Sequence, residues 1–223
     1  GPFAGLVLPS EDSWPAGDRA AKLVGLYEAE LHPALRQARE RAPETVVNVG
    51  CAEGYYAIGL ARMLPNARVI AFDISAKARE LCAAAATDNG VGDRVTVRGE
   101  ATCEAMSEVL GPGSSRLVVM DCEGGEGALL DPERLPQLSQ CDIIVETHDC
   151  NVPHVTETLI QRFRDTHAIE VIQAGPRDPA AVLPHWPDRD RWLVVAEGRP
   201  AGMVWLACWS RNPGPGRPAA AAS

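Results

Sequence analysis

Asp121-Cys122-Glu123 and Glu146-Thr147-His148 are the places where this sequence sets chemically able side chains two residues apart at the end of an apolar run. In extended backbone, residues i and i+2 project to the same side, so each tripeptide offers a pair of polar groups to one ligand. An imidazole titrates near neutrality when unperturbed, which makes His148 the candidate general base, with Asp121 or Glu146 orienting it or the substrate. The carboxylates and the imidazole could instead hold a hard divalent ion such as Mg²⁺, which lowers the pKa of a bound hydroxyl. The set matches no complete ligand pattern, so the base is preferred and no metal is assigned. Glu126 opens a helix and is read as complementing its dipole.

A second feature lies upstream in TVVNVGCAEGYYAIG, residues 45–59. An apolar run breaks at Gly50 and Gly54, and small and apolar residues then resume at helical spacing. The pattern is strand, glycine turn, helix, and such a turn at the carboxyl end of a strand admits a ligand close to the backbone and exposes helix N–H groups to it.

The elements that must position these residues follow from hydrophobic period and punctuation. Asp18 is expected to cap a helix running to Arg41, with Leu23, Tyr27, Leu31 and Leu35 as its buried stripe and Pro33 bending or breaking it. Glu28, Glu30 and His32 form a polar cluster on it. Strands are expected at 45–49, 68–74, 94–98, 117–120, 141–145, 169–174 and 203–209, and helices at 55–64, 76–88, 103–110 and 155–166. A short helical piece is expected near Trp192. Strands alternating with helices predict a mostly parallel sheet with helices on both faces. Residues 1–42 form an N-terminal segment and helix, which either cover the mouth of the site as a lid or seal a hydrophobic patch. Residues 43–211 form the one main domain, and 212–223 have nothing to bury and are expected to be disordered. Trp186, Trp192, Trp205 and Trp209 are expected to pack the C-terminal half.

Composition narrows the partners. The 223 residues are 46% hydrophobic and 23% charged with a net charge of −9, and no Lys/Arg-rich run offsets that charge, so a nucleic acid would be repelled and a small molecule is the expected partner. No apolar run approaches the length of a membrane span, and no secretory leader is visible at the start of this sequence, so no membrane association and a cytoplasmic location are expected. Seven scattered cysteines without a CxxC pair argue against a disulfide framework or structural zinc. Oligomeric state has no signature.

A dinucleotide fingerprint requires G-x-G-x-x-G, and here the three positions read Gly50, Ala52 and Tyr55, so two of them fail. Asp73 ends the second strand, where a carboxylate can accept both ribose hydroxyls of either NAD or S-adenosylmethionine (SAM). NVGCAEGYYAIGLA, then AFDIS, LVVMDCEGGEGALLDP and DIIVETHD together resemble the FkbM-type family of SAM-dependent methyltransferases over residues 45–149. The resemblance implies a three-layer Rossmann-like α/β class I fold with strand order 3-2-1-4-5-7-6. It also implies an O-methyltransferase acting on a hydroxyl of a small molecule such as a sugar or natural-product intermediate. In that reading Asn48, Gly50, Cys51, Ala52, Glu53, Gly54 and Tyr55 belong to the cofactor loop. Asp73 takes the ribose, Ile74 packs on the adenine, Glu100 and Ala101 border its edge, and Asp121 reaches the cofactor from the next strand. Asn48 stands where the family has an acidic residue, and Asp73 replaces the commoner Glu. Methyl transfer from SAM needs no covalent enzyme intermediate, so Cys51 and Cys122 are read as packing residues at tight turns. The alternatives are a non-catalytic SAM- or adenosine-binding module and a nicotinamide-dependent oxidoreductase.

Overall fold

The structure, a computed structural model, describes residues 1–11, 17–112, 115–180, 183–199 and 202–212. Nearly all of the tail expected to be disordered lies outside the described residues.

Seven strands form one sheet in the order β3-β2-β1-β4-β5-β7-β6. They are β1 (Thr45–Val49), β2 (Arg68–Phe72), β3 (Val95–Arg98), β4 (Arg116–Met120), β5 (Cys141–Thr147), β6 (His167–Gln173) and β7 (Val204–Ser210). All neighbours pair in parallel except β7, which runs antiparallel to both β5 and β6. Every residue of β1, β4 and β5 is buried, as expected of central strands covered on both faces.

Period-2 alternation splits the core into two layers. Val46, Val69, Leu117, Val119 and Ile144 face one cluster, while Val47, Val49, Ile70, Val118, Met120 and Ile143 face the other. The first layer is covered by α2 (His32–Arg41), α3 (Tyr55–Met63) and α4 (Ala76–Asp88). The second is covered by α5 (Cys103–Leu110) and α7 (Val155–Phe163), with the short α6 (Glu126–Leu129) and a 3₁₀ turn at Pro136–Gln140 beside them.

Helix α3 has little polar face, and Tyr55 to Ala61 are all buried, because the N-terminal segment covers what the sheet leaves open. Phe3 packs edge-on against Tyr55 and Tyr56 at 5.3 and 6.0 Å. A Cβ at Gly59 would stand 2.5 Å from the Phe3 ring, so the glycine admits the strap. Val7 is tied down by two backbone bonds to the Asn89 side chain, 2.9 and 2.8 Å.

The single helix expected from Asp18 to Arg41 is three pieces: α1 (Arg19–Val24), a 3₁₀ turn at Ala29–Leu31, and α2. The break falls at Gly25 and Glu28, both left-handed (φ 73° and 47°), and Pro33 sits in the first turn of α2, where a missing N–H costs nothing. Asp18 makes no side-chain cap and pairs with Lys22 instead. Leu23 is exposed rather than part of a buried stripe. Strand β5 reaches Thr147 because β7 pairs with it there, Glu146 opposite Trp205 and Thr147 opposite Val204. Trp205 and Trp209 are buried as expected, whereas Trp186 and Trp192 are half exposed, since α8 (Asp188–Val194) buries nothing. Among the described residues no helix is long and apolar enough to cross a membrane.

Candidate active site

The carboxyl ends of β1, β2, β4 and β5 open on one cavity of about 600 Å³. At its floor the chain leaves β1 through Gly50, whose φ of 77° is left-handed. A Cβ there would lie 1.6 Å from the Asp121 carbonyl oxygen, so only glycine lets the β1 and β4 ends come this close. Ala52 is also left-handed (φ 47°), and its N–H donates to Asp73 Oδ2 at 2.9 Å, while Ser75 N–H donates to Asp73 Oδ1 at 2.8 Å. Asp73 thus braces the glycine loop against β2, and each of its oxygens keeps a lone pair for a ligand hydroxyl. Glu53 is buried and held by Lys22 at 2.6 Å, and the Lys22 ammonium lies over the Tyr27 ring.

At the ends of β4 and β5 stands a histidine surrounded by acids. His148 is 2% exposed. Its Nδ1–H donates to Glu126 Oε1 at 2.7 Å, and its Nε2 lies 3.5 Å from Asp121 Oδ1, 3.4 Å from Glu123 Oε2 and 3.6 Å from Glu146 Oε2. Burial alone would lower the His148 pKa, but the Glu126 bond and the neighbouring carboxylates outweigh it and raise the pKa to about 9. The expectation of an imidazole titrating near neutrality therefore shifts, because the surrounding acids favour its protonated form. Desolvation and then the Glu146 carboxylate push Asp121 well above the carboxylate range. Desolvation likewise raises Glu146, against the opposing pull of Arg199.

Glu126 does more than complement a helix dipole. It is fully buried and accepts N–H bonds from Cys122 and Gly124 as well as the imidazole bond. Burial acts to raise its pKa, yet the His148 bond, the backbone N–H bonds and the imidazole charge together outweigh that and hold the carboxyl below its usual value. The six-residue stretch DCEGGE from Asp121 to Glu126 makes this contact: Glu123 and Gly124 take left-handed φ (58° and 118°) and turn the chain back so that Glu126 meets the strand end.

A second network, illegible in the sequence, closes the opposite wall. Arg199 donates to Glu28 (2.6 Å), to Glu197 (2.8 Å) and to Glu146. Arg177 pairs with Glu197 (2.9 Å) and Glu30 (2.7 Å). Glu28 is 1% exposed, also accepts a bond from the Tyr56 hydroxyl, and is pushed well above the carboxylate range by burial and then by Glu146. The expected cluster of Glu28, Glu30 and His32 on one helix face does not form, since the left-handed turn at Glu28 separates them.

Of the residues implied for the cofactor, Gly50, Ala52, Glu53, Asp73, Ile74, Glu100, Ala101 and Asp121 line the cavity. Asn48, Cys51, Gly54 and Tyr55 do not. Asn48 is buried between strands, its amide donating to the Val119 carbonyl at 3.2 Å. Gly54 makes room for Ile58 and Cys82, and Tyr55 packs in the aromatic cluster with Phe3 and Tyr27. The Cys51 thiol is raised first by a bond with Cys82 and then by burial, and that of Cys122 by burial, so both stay protonated packing groups. Ile74 is 82% exposed at the cavity rim. No residue of 1–11 lines the cavity, whereas Asp18 and Lys22 do.

Residues 46–123 match the family model described as a methyltransferase domain. Solved structures with a similar fold include one described as an O-methyltransferase from Klebsiella pneumoniae (15% identity, covering 92% of this chain and 93% of that one, TM-score 0.55). Another is the O-methyltransferase TomG from Streptomyces achromogenes, involved in tomaymycin synthesis and solved with SAM (16% identity, 93% and 94%, 0.52). A third is an O-methyltransferase from Bacillus cereus in complex with S-adenosylhomocysteine (SAH; 15% identity, 90% and 84%, 0.52). No curated protein matches this sequence. At these identities the structural likeness establishes the fold, which is the class I methyltransferase fold, and the family model adds a match over residues 46–123.

Proposed function

We propose that the protein is a SAM-dependent O-methyltransferase of FkbM type that methylates a hydroxyl of a small molecule, such as a sugar or natural-product intermediate. The observation that carries this reading is the single cavity joining the Gly50 turn and Asp73 to Asp121, Glu146 and His148. A bound SAM supplies the electrophilic methyl on a sulfonium centre, so the chain has to align an acceptor, exclude water and accept a proton. In this reading Asp73 holds the ribose, Glu100 and Ala101 border the adenine, and the acidic group at β4 and β5 holds the acceptor, all of them lining the one cavity. Asn48 is buried against Val119 and does not line the cavity, whereas the Lys22–Glu53 pair does.

In this reading His148 is the group at the strand ends that takes the acceptor proton, with Asp121 or Glu146 orienting it or the substrate. Five carboxylates (Glu28, Asp121, Glu123, Glu146 and Glu197) face Arg199 and His148 as the cations at this end of the cavity. Carboxyl groups so crowded, several of them with raised pKa, offer hydrogen-bond donors and acceptors to hydroxyls and little to a phosphate or carboxylate, which favours neutral polyhydroxy acceptors.

Calorimetry with SAM, SAH and NAD tests the cofactor. Heat with the two sulfur ligands and none with NAD is expected, and no heat with either sulfur ligand rejects the assignment in favour of another nucleotide. SAM binding with no methyl transfer to any of a panel of hydroxylated acceptors would favour the non-catalytic module. His148→Ala is expected to slow turnover while sparing SAM affinity.

A further inference from the structure

We propose that Asp121, Glu146 and His148 bind a divalent cation at the acceptor end of the cavity, and that Glu126 is the positioning residue that turns His148 Nε2 toward it. The inference deepens the methyltransferase reading and rests on it for the role of the ion, though not for its binding.

The three donors come from the ends of adjacent strands, β4 and β5, and one ligand atom from each lies within 4.8 Å of the other two. Atoms that share an ion at about 2.0–2.2 Å stand about 3–4.4 Å apart, so a slight contraction closes the set around one. The imidazole distinguishes the site from a patch of acids. His148 is 2% exposed and points Nε2 into the cluster, at 3.4–3.6 Å from three carboxylates, beyond the usual range of an N–H···O bond. Its other nitrogen is committed at 2.7 Å to the fully buried Glu126, the carboxylate-to-imidazole arrangement that fixes the tautomer of a metal-bound histidine. Glu126 is itself held by the N–H groups of Cys122 and Gly124 and cannot swing away. Asp121 Oδ1 is buried without a hydrogen-bond partner. Arg199 engages Glu146 through Oε1, which leaves Oε2, the oxygen nearer His148, for the ion.

One imidazole with two carboxylates suits Mn²⁺ among the ions that favour oxygen while tolerating nitrogen, better than all-oxygen Mg²⁺ or Ca²⁺ sites. Three protein ligands leave coordination positions facing the cavity. With Nε2 on the ion and Nδ1–H on Glu126, His148 would act as a ligand in place of the base proposed above, and the ion would lower the pKa of a hydroxyl bound there so that its proton passes to solvent.

Mn²⁺ titration of the chelator-treated full chain, followed by loss of the free-ion paramagnetic resonance signal, tests the site. One ion per chain is expected. Asp121→Asn and His148→Ala are expected to weaken binding by at least tenfold, and Glu126→Gln by roughly 10–100-fold although it contributes no ligand. SAH calorimetry on His148→Ala and Glu126→Gln reports folding and the cofactor site independently, and unchanged SAH affinity is expected for both. A wild-type chain that leaves the free Mn²⁺ signal intact at about 1 mM, the weak end for such sites, overturns the proposal. So does a folded His148→Ala variant that binds Mn²⁺ as tightly as wild type. Mn²⁺ binding without SAH heat would reject the methyltransferase reading and leave the ion site standing.

Discussion

Replacing Arg199 by Met removes the guanidinium shared by Glu28, Glu146 and Glu197 while keeping most of the side-chain volume. Those carboxylates are buried to 1%, 6% and 2% side-chain exposure, and Arg199 itself retains 17%. Breaking a buried ion pair from one side costs about 3–5 kcal/mol. The partial exposure of Arg199 places the expected loss at the low end, about 3 kcal/mol, a large share of the 5–15 kcal/mol that holds a typical domain. For a chain of this size that is a drop in Tm of roughly 6–12 °C. The pH dependence supplies a second test. Glu28 has a folded-state pKa raised well above its ordinary value, by burial first and then by Glu146, and Arg199 is what lowers it. A raised carboxyl binds its proton more tightly in the folded state than in the unfolded one. Its contribution is therefore fully present below the unfolded pKa and is lost as pH rises through the folded one. Removing Arg199 raises the folded value further, so the penalty of Arg199→Met is expected to be largest above neutrality and to shrink as pH falls toward 5. Thermal melts of both proteins between pH 5 and pH 8, in the presence of a chelator, measure it. A difference in Tm below about 2 °C at pH 8, or one that grows on acidification, refutes the view that Arg199 neutralises buried acids.

Gly50→Ala is expected to abolish SAH binding, and in most preparations folding too, because its Cβ would collide with the Asp121 carbonyl in a left-handed conformation; calorimetry alongside circular dichroism distinguishes the two losses. Asp73→Asn keeps the shape but halves the acceptor capacity that braces Ala52 and Ser75, and a hydrogen bond to a charged group is worth about 1.5–3 kcal/mol. SAH affinity is therefore expected to fall by roughly ten- to a hundredfold, and a change under twofold would show that Asp73 only shapes the loop. Phe3→Ala removes a buried ring from the α3 cluster at a cost of about 3 kcal/mol. SAH affinity should stay the same, since residues 1–11 stand away from the cavity; a loss of affinity at full stability would make the strap part of the site.

The tests divide along the boundary between local and distant information. Strand β1, the Gly50 turn and α3 were legible because their signals are local: an apolar run, a glycine where φ is positive, and a helix whose residues resume at the right period. The sheet order was available by resemblance, and the alternation of Val46 and Val47 between two core layers follows from the geometry of any buried strand. Asp121, Glu146 and His148 were legible as strand-end residues for the same reason.

What the tertiary structure decided is which groups surround them. Arg199 lies 171 residues from Glu28, in a proline-rich stretch without periodicity, and only the antiparallel return of β7 beside β5 brings it to Glu146. The Asp18–Arg41 helix failed because Gly25 and Glu28 adopt left-handed backbone that Glu28's buried partners hold in place, which no propensity encodes. The charge state of His148 depends on Glu126, whose approach is set by two left-handed residues in a six-residue turn. Sequence alone determined which residue types stand at the carboxyl edge of the sheet, because pattern and turn chemistry act over a few residues. Protonation, pairing and access are sums over neighbours from distant segments, so only the folded chain decided those.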